Sequence, residues 1–147
     1  GSVYVGEYLD GERSGSGVME YSDGDRYEGH FEWGAKAGKG KYVWANGDWF
    51  EGQWMRDKMW KGKGKQTLKD GSVYVGEYLD GERSGSGVME YSDGDRYEGH
   101  FEWGAKAGKG KYVWANGDWF EGQWMRDKMW KGKGKQTLKD GSVYVGE

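Results

Sequence analysis

Apolar and polar residues alternate along most of the chain with a period of two. Residues 24–46, GDRYEGHFEWGAKAGKGKYVWAN, contain a segment of the form Tyr-x-Gly-x-aromatic, a loop, and a segment of the form Gly-x-Gly-x-aromatic. A period of two is the spacing of a half-buried β-strand. An Asp-Gly or Asn-Gly dipeptide, a strong hairpin signal, ends each such pair of segments, at Asp23-Gly24, Asn46-Gly47 and Asp70-Gly71. The pattern therefore predicts consecutive β-hairpins.

The pattern recurs because the chain contains the same block twice. Residues 1–70 return unchanged as 71–140, and residues 141–147, GSVYVGE, begin a third copy. Since exposed positions of natural repeats drift apart, this identity favours an engineered chain over a very recent natural duplication. The third unit of each block has one extra residue, which we place in the loop between Asp57 and Gly62. We predict one repeat domain, 1–147, made of the units 1–23, 24–46, 47–70, 71–93, 94–116 and 117–140 and the partial unit 141–147.

Each unit places aromatic residues and glycines at fixed spacings. The first has Tyr4, Gly6, Tyr8, Gly11, Gly15 and Gly17, the second has Tyr27, Gly29, Phe31, Gly34, Gly38 and Gly40, and the third has Phe50, Gly52, Trp54, Gly62 and Gly64, with Asp57 in place of the loop glycine. These units resemble the MORN repeat, and the resemblance covers essentially the whole chain. It implies an all-β protein whose stacked hairpins form one elongated, single-layer, twisted antiparallel β-sheet of about 13 strands. It also implies a binding module or scaffold.

The register of the strands decides which residues share a face, because a slip of one residue exchanges the two faces. A two-residue loop at Asp23-Gly24 would mix aromatic and charged side chains on each face. A three-residue loop that ends at a left-handed Gly24 sorts aromatic residues and glycines onto one face and charges onto the other, so we predict this loop. The resulting pairs are Met19–Tyr27, Gly17–Gly29, Tyr42–Phe50, Gly40–Gly52, Gln66–Tyr74 and Gly64–Gly76.

Within each unit, the matching pairs leave long loops of about six or seven residues, which tolerate an insertion at little entropic cost. These predicted pairs are Tyr4–Met19, Gly6–Gly17, Tyr27–Tyr42, Gly29–Gly40, Phe50–Gln66 and Gly52–Gly64.

The register predicts a continuous row of glycines with aromatic rings beside it. The predicted row is Gly6, Gly17, Gly29, Gly40, Gly52, Gly64, Gly76, Gly87, Gly99, Gly110, Gly122, Gly134 and Gly146. The flanking rings, which are the candidate binding residues, are Tyr4, Tyr8, Tyr27, Phe31, Tyr42, Phe50, Trp54, Tyr74, Tyr78, Tyr97, Phe101, Tyr112, Phe120 and Trp124. Glycine weakens a strand unless rings cover its bare backbone. The rings therefore either wall a groove floored by glycine or close over the glycines.

The opposite face carries charges of both signs. The register makes Glu28, Lys41, Glu51 and Lys65 cross-strand neighbours, and it places Glu20 opposite Arg26. Lysines that already lie beside carboxylates make a poor anion site, so we favour a solvated ladder of charges over a phosphoinositide or other phospholipid site. The net charge of −3 argues against a dedicated nucleic-acid binder.

The sequence offers little catalytic or metal-binding chemistry. It has no cysteine, and its two histidines, His30 and His100, have no second imidazole or thiol near them in the pattern. No Gly-rich segment precedes a predicted helix as a phosphate loop requires. We therefore predict no enzyme activity, no metal site and no cofactor.

Three functions remain as hypotheses. The first is a scaffold whose groove binds a peptide or an amphipathic helix. The second is self-association, either face to face or by end-to-end strand pairing. The third is a tether at a membrane surface. No signal peptide or apolar run of the ~18 residues that span a membrane is visible, and we expect a cytoplasmic location if a cell expresses the chain. Because the chain begins with Gly1, we expect a fragment or a processed chain.

Overall fold

The computed structural model describes residues 1–147 and contains thirteen β-strands in one sheet. The strands are β1 Val3–Leu9, β2 Glu12–Glu20, β3 Arg26–Glu32, β4 Ala35–Val43, β5 Trp49–Met55, β6 Lys58–Thr67, β7 Val73–Leu79, β8 Glu82–Glu90, β9 Arg96–Glu102, β10 Ala105–Val113, β11 Trp119–Met125, β12 Lys128–Thr137 and β13 Val143–Gly146. They follow one another across the sheet in sequence order. The prediction of an all-β, antiparallel hairpin sheet is confirmed. The structure has no helix long and apolar enough to cross a membrane.

Contacts between residues group the chain into two compact units. The first comprises Gly1–Gln66 with Tyr78–Gly81, and the second comprises Thr67–Glu77 with Glu82–Glu147. Each unit has its own set of buried rings on one face of its strands. In the first unit these include Tyr27, Phe31, Phe50, Trp54 and Tyr78, and in the second Tyr74, Tyr97, Phe101 and Trp124.

The turns between repeats are three-residue loops, as predicted. At the first of them the Tyr21 N–H donates to the Asp25 carbonyl at 2.9 Å, and the Gly24 N–H donates to the Tyr21 carbonyl at 3.1 Å. Gly24 has a φ of 97°, the left-handed conformation that this kind of loop requires at its last residue. The same pair of hydrogen bonds recurs between Trp44 and Asp48.

These loops set the predicted register. Met19 pairs with Tyr27 and Gly17 with Gly29, and the next turn pairs Tyr42 with Phe50. Inside the first two repeats, Tyr4–Met19, Gly6–Gly17, Tyr27–Tyr42 and Gly29–Gly40 also pair as predicted. The second block contains Gly134–Gly146 and Gln136–Tyr144, the counterparts of the predicted pairs at Asp70-Gly71.

The turns inside the repeats differ from the prediction. Each is a two-residue loop, Asp10-Gly11, Trp33-Gly34 or Arg56-Asp57, and both residues of each have positive φ. This is the geometry of a type I′ hairpin turn, whose twist matches that of the strands. The predicted loops of six or seven residues are wrong because their residues continue the strands. An irregularity in the ladder, such as the one between Gly6–Gly17 and Tyr8–Arg13, absorbs the additional residues.

The predicted register of the third repeat is also wrong. Phe50 pairs with Gly64 rather than Gln66, and Gly52 pairs with Gly62 rather than Gly64. The extra residue lengthens β6 to ten residues, compared with nine in β2 and β4, and the ladder shifts by one residue between Gln53 and Trp54. The glycine row therefore shifts by two residues within the last strand of each block. In β12, Gly132 pairs with Gly122 of the preceding strand, whereas Gly134 pairs with Gly146 of the following strand.

Candidate functional site: the aromatic face

In the first two repeats of each block, tyrosines of the aromatic face cover the glycines of the predicted row. The Tyr27 hydroxyl donates to the His30 carbonyl at 2.9 Å, which holds the ring across the neighbouring strand. A Cβ added at Gly40 would overlap the Tyr27 ring and hydroxyl, and a Cβ at Gly17 would overlap those of Tyr4. The glycines at these positions are therefore required by the rings that lie over them, and their backbone is not an open floor.

Within each unit the rings form a continuous series of edge-to-face contacts. In the first unit Tyr27 lies between Phe31, at 5.1 Å, and Trp54, at 5.4 Å, with interplanar angles of 83° and 86°. Such contacts are the preferred geometry of aromatic pairs and each contributes about 0.5–1.5 kcal/mol beyond area burial. Further members are Tyr4, Phe50 and Tyr78 in the first unit, and Tyr74, Tyr97, Phe101, Phe120 and Trp124 in the second.

The predicted binding residues thus lie on one face, but they differ in accessibility. Tyr27, Tyr74 and Tyr97 are fully buried, whereas Tyr8 is 62% exposed. Tyr42 and Tyr112 are half-buried at the margin of the series. Because the sheet has no second layer of strands or helices on this face, the buried rings themselves form its core.

A lysine that sequence reasoning missed occupies this face. The Lys36 ammonium lies 5.4–5.9 Å from the ring centroids of Tyr21, Tyr27, Tyr42 and Trp54. It also pairs with Asp57 at 3.2 Å, and its side chain is only 13% exposed. Cations over ring faces are attracted by the ring quadrupole, most strongly when water is excluded. We call this arrangement the lysine cage. Lys106 has the same surroundings in the second block, namely Tyr91, Tyr97, Tyr112, Trp124 and Asp127.

The other repeats place different side chains at the equivalent position. Arg13 lies over Tyr4 and Phe31, and it donates from Nη2 to the Gly34 carbonyl at 2.7 Å. In the three repeats the side chain at this position pairs with the second aromatic residue of the preceding strand: Arg13 with Tyr8, Lys36 with Phe31 and Met59 with Trp54. The signal for this position in the sequence is a long side chain two residues after the turn inside each repeat.

Burial and hydrogen bonding raise the pKa values of several tyrosines. The Tyr42 hydroxyl donates to Asp25 Oδ2 at 2.6 Å. Burial, together with this carboxylate, raises the pKa of Tyr42 above the ordinary value for tyrosine. Burial raises the pKa of Tyr27 as well, and it raises the pKa of Tyr97 to about 12. These phenols remain neutral hydrogen-bond donors across the physiological pH range.

A recess lies at the edge of the first unit's aromatic face, where the turn of the third repeat meets the lysine cage. It has a volume of about 750 Å³. Its lining includes the indoles of Trp44, Trp54 and Trp60 and the thioethers of Met55 and Met59, and it is completed by Tyr42, Lys36, Arg56, Asp57, Lys58, Asp80 and Gly81. We call it the indole recess. Its apolar lining and charged margin are typical of a ligand-binding pocket.

The charged face has the predicted alternation with one difference. Glu28 lies opposite Lys41, and Lys41 opposite Glu51, but Glu51 lies opposite Lys63 rather than Lys65 because of the two-residue step in β6. The Arg26 guanidinium pairs with Glu28 at 3.0 Å and with Glu20 at 3.8 Å. All three side chains are about half exposed or more, so these pairs contribute little to stability.

No group of three or more His, Cys, Asp or Glu side chains is arranged to hold a metal ion.

The model of the MORN repeat family matches residues 4–26, 27–49, 50–73, 74–96, 97–119 and 120–143. The chain belongs to the MORN repeat family. MORN repeat proteins are generally non-catalytic scaffolds.

This MORN chain has a low-scoring likeness among solved structures. It is similar to the SAS-4 (dCPAP) TCP domain in complex with a Proline Rich Motif of Ana2 (dSTIL) of Drosophila melanogaster, with 15% sequence identity and a TM-score of 0.40. The match covers 94% of this chain and 73% of the other. A comparison with curated protein sequences finds no significant match.

Proposed function

We propose that this chain is a non-catalytic scaffold that binds the apolar face of an amphipathic helix in the indole recess. The observation that carries the proposal is the convergence of three indoles and two thioethers on one open recess of about 750 Å³. The exact repetition of the 70-residue block supports the further interpretation that the scaffold is engineered.

Accessibility supports the recess over the rest of the aromatic face. Rings lie over glycines of the row, as Tyr27 does over Gly40, and most rings of the edge-to-face series are buried. Trp60 and Met55, in contrast, are exposed at the mouth of the recess. An aromatic side chain that is both large and accessible is the usual anchor of a binding surface.

The chemistry of the recess defines the ligand. Indole and thioether surfaces accept apolar side chains, and methionine adapts its shape to different ones. The recess is formed by side chains at the turn end of the hairpins, so the ligand's side chains rather than its backbone supply the contacts. This favours a helix with apolar anchors over an extended strand. Lys36 and Asp57 pair with each other, and the remaining charges of the lining, Arg56 and Lys58 with Asp80, sum to a net positive charge that favours acidic residues beside those anchors.

The test is a selection of helical peptides of about 20 residues (~30 Å long) from a display library, followed by fluorescence anisotropy with the selected peptide. Replacing Trp60 and its copy Trp130 by alanine should weaken binding at least tenfold, about 1.4 kcal/mol or more. Trp33→Ala with Trp103→Ala is the matched control, because these indoles are equally large, lie in exposed turns and do not line the recess. The proposal fails if no peptide is enriched, or if the control variant loses as much affinity as the recess variant.

A further inference from the structure

The hydroxyl of Tyr42 is hydrogen-bonded to a base. It donates to Asp25 Oδ2 at 2.6 Å, and in the second block Tyr112 donates to Asp95 Oδ2 at 2.7 Å. The hydroxyl of Tyr27, in contrast, donates to the carbonyl of His30, as that of Tyr97 does to the carbonyl of His100. A carboxylate can take the proton of a phenol, whereas a backbone carbonyl only accepts a hydrogen bond from it.

The loops between the repeats hold this carboxylate in place. Asp25 directly follows the three-residue loop that ends at Gly24, and its carbonyl accepts a hydrogen bond from the Tyr21 N–H. Its Oδ1 accepts a hydrogen bond from the Ala45 N–H at 2.8 Å, which belongs to the next loop. One carboxylate oxygen is thus fixed by backbone, and the other lies against the Tyr42 hydroxyl.

Three oxidisable rings surround Tyr42. Its ring centroid lies 4.7 Å from that of Trp44, 5.7 Å from that of Tyr21 and 6.0 Å from that of Trp54. The second block has the same three contacts around Tyr112. Indole and phenol are the most easily oxidised side chains of a chain without cysteine. Since Trp44 and Trp54 also line the indole recess, an electron from Tyr42 has a short path to a molecule in solution.

The charges around Tyr42 couple the loss of an electron to the loss of the proton. The Lys36 ammonium lies 5.5 Å from the centre of the ring, so an electron that left alone would create a second positive charge beside it. Like charges repel strongly where water is scarce. Burial, with the hydrogen bond to Asp25, raises the pKa of Tyr42, so the phenol keeps its proton until the ring is oxidised. Transfer of the proton to Asp25 together with the electron avoids both costs.

We propose that Tyr42 and its copy Tyr112 are redox-active tyrosines, which goes beyond the role of a scaffold. In the oxidation the phenolic O–H bond breaks, the proton moves to Asp25 Oδ2, and one electron passes through Trp44 or Trp54 to an external one-electron oxidant, which is reduced. The products are a neutral tyrosyl radical and a carboxylic acid that donates a hydrogen bond back to the phenoxyl oxygen. One electron from a reductant returns the proton to the phenol.

Photo-oxidation of the whole chain tests this proposal. A ruthenium tris-bipyridine complex, oxidised to ruthenium(III) by a laser flash and a quencher, serves as the oxidant. Transient absorption and electron paramagnetic resonance record the neutral tyrosyl radical. Tyr42→Phe with Tyr112→Phe keeps the rings but removes the phenols, and it should slow radical formation about tenfold or more. A positioned base contributes about 10²–10⁴-fold to a proton transfer, and the remaining tyrosines would then react without that advantage.

Two further variants separate the role of the carboxylate from that of the phenol. Asp25→Asn with Asp95→Asn keeps a side chain of the same shape that cannot hold the proton, and it should slow radical formation as much as the loss of the phenols does. Tyr27→Phe with Tyr97→Phe is the matched control. It removes a hydroxyl from the same aromatic face, but one that donates to a carbonyl, so the rate should stay close to that of the parent chain.

Circular dichroism and urea unfolding show which variants keep the fold, and Tyr42→Phe carries the test if Asp25→Asn unfolds the loop. The proposal is wrong if the Tyr42→Phe variant forms the radical as fast as the parent chain. It is equally wrong if a folded Asp25→Asn variant keeps the parent's rate, because the proton acceptor would then be water. A control variant as slow as the Tyr42→Phe variant would show that the carboxylate gives Tyr42 no advantage.

Discussion

A single position in each repeat decides what covers the aromatic rings. Arg13, Lys36 and Met59 all occur two residues after a type I′ turn, and each lies opposite an aromatic residue of the preceding strand. The terminal groups of these side chains differ in charge, but all three side chains have long unbranched stems that cover ring surface. The shared requirement at this position is therefore a flexible apolar stem, and the ammonium of Lys36 adds its attraction for the rings and for Asp57.

The lysine cage predicts a graded response to substitution. Lys36→Ala with Lys106→Ala should lower the free energy of unfolding by about 1–2 kcal/mol per site, because both the cation–ring contact and the buried stem are lost. Lys36→Met with Lys106→Met should lose less than half of this, since Met59 already serves at the equivalent position. Urea unfolding followed by tryptophan fluorescence measures both. Equal losses in the two variants would show that the stem contributes nothing and that the charge alone stabilises the cage.

At the scale of strands and turns, two kinds of hairpin alternate along the chain. Three-residue loops with a left-handed glycine join the repeats, and type I′ turns lie inside them. The tyrosine at the start of a repeat reaches across to the glycine of the partner strand, as Tyr27 does to Gly40. Each tyrosine ring therefore depends on a glycine of the neighbouring strand, which leaves room for it.

Replacing Gly40 and its copy Gly110 by alanine should displace the tyrosines. The new Cβ atoms overlap the rings of Tyr27 and Tyr97, so we expect a loss of about 2–3 kcal/mol per site. The near-UV circular dichroism of the tyrosines should fall as well. Gly11→Ala with Gly81→Ala is the control, because nothing lies within 4 Å of the added Cβ and only the left-handed backbone is strained. An unchanged near-UV spectrum in the Gly40 variant would mean that the ring does not lie over the glycine.

The turns also show how far the sequence could be interpreted. Asp23-Gly24 was predictable because only a three-residue loop sorts the rings and charges onto separate faces. Arg56-Asp57 was not, because neither residue favours positive φ in the way glycine does, and the alternation alone does not say whether an extra residue joins a loop or a strand. The error at Gln66 follows from this, as does the misplaced neighbour of Glu51. Lys36 was missed because a lysine beside a glycine-rich strand has the pattern of a solvated residue, and only the assembled rings make it a buried cation.

At the scale of the whole molecule, stability rests on contacts between strands that are neighbours in sequence. A sheet of thirteen strands in sequence order has no distant element to pack against. Its free energy of unfolding is then a sum of local terms, as in other repeat proteins. The buried tyrosines are among the largest of these terms, and their hydroxyls are hydrogen-bonded to carbonyls or carboxylates.

The tyrosines predict a loss of stability at alkaline pH. Below about pH 10 they are protonated in both states, and above it the unfolded chain releases protons that the folded chain retains. Since the unfolded state then binds fewer protons, stability falls as pH rises, by about 1.4 kcal/mol per pH unit for each protected tyrosine up to its folded pKa. For Tyr97 this window ends near pH 12. Urea unfolding at a series of pH values measures the slope. Tyr27→Phe with Tyr97→Phe should reduce it, and an unchanged slope in that variant would contradict the prediction.

The lysine cage has a consequence in host–guest chemistry. Four rings and one carboxylate around an ammonium form a receptor for a cation, and the chain supplies the guest from its own strand β4. Shortening Lys36 to alanine removes the guest but leaves the host's walls, which belong to other residues. The vacated space would suit a small quaternary ammonium ion, and the second block offers a second host of the same shape at Lys106.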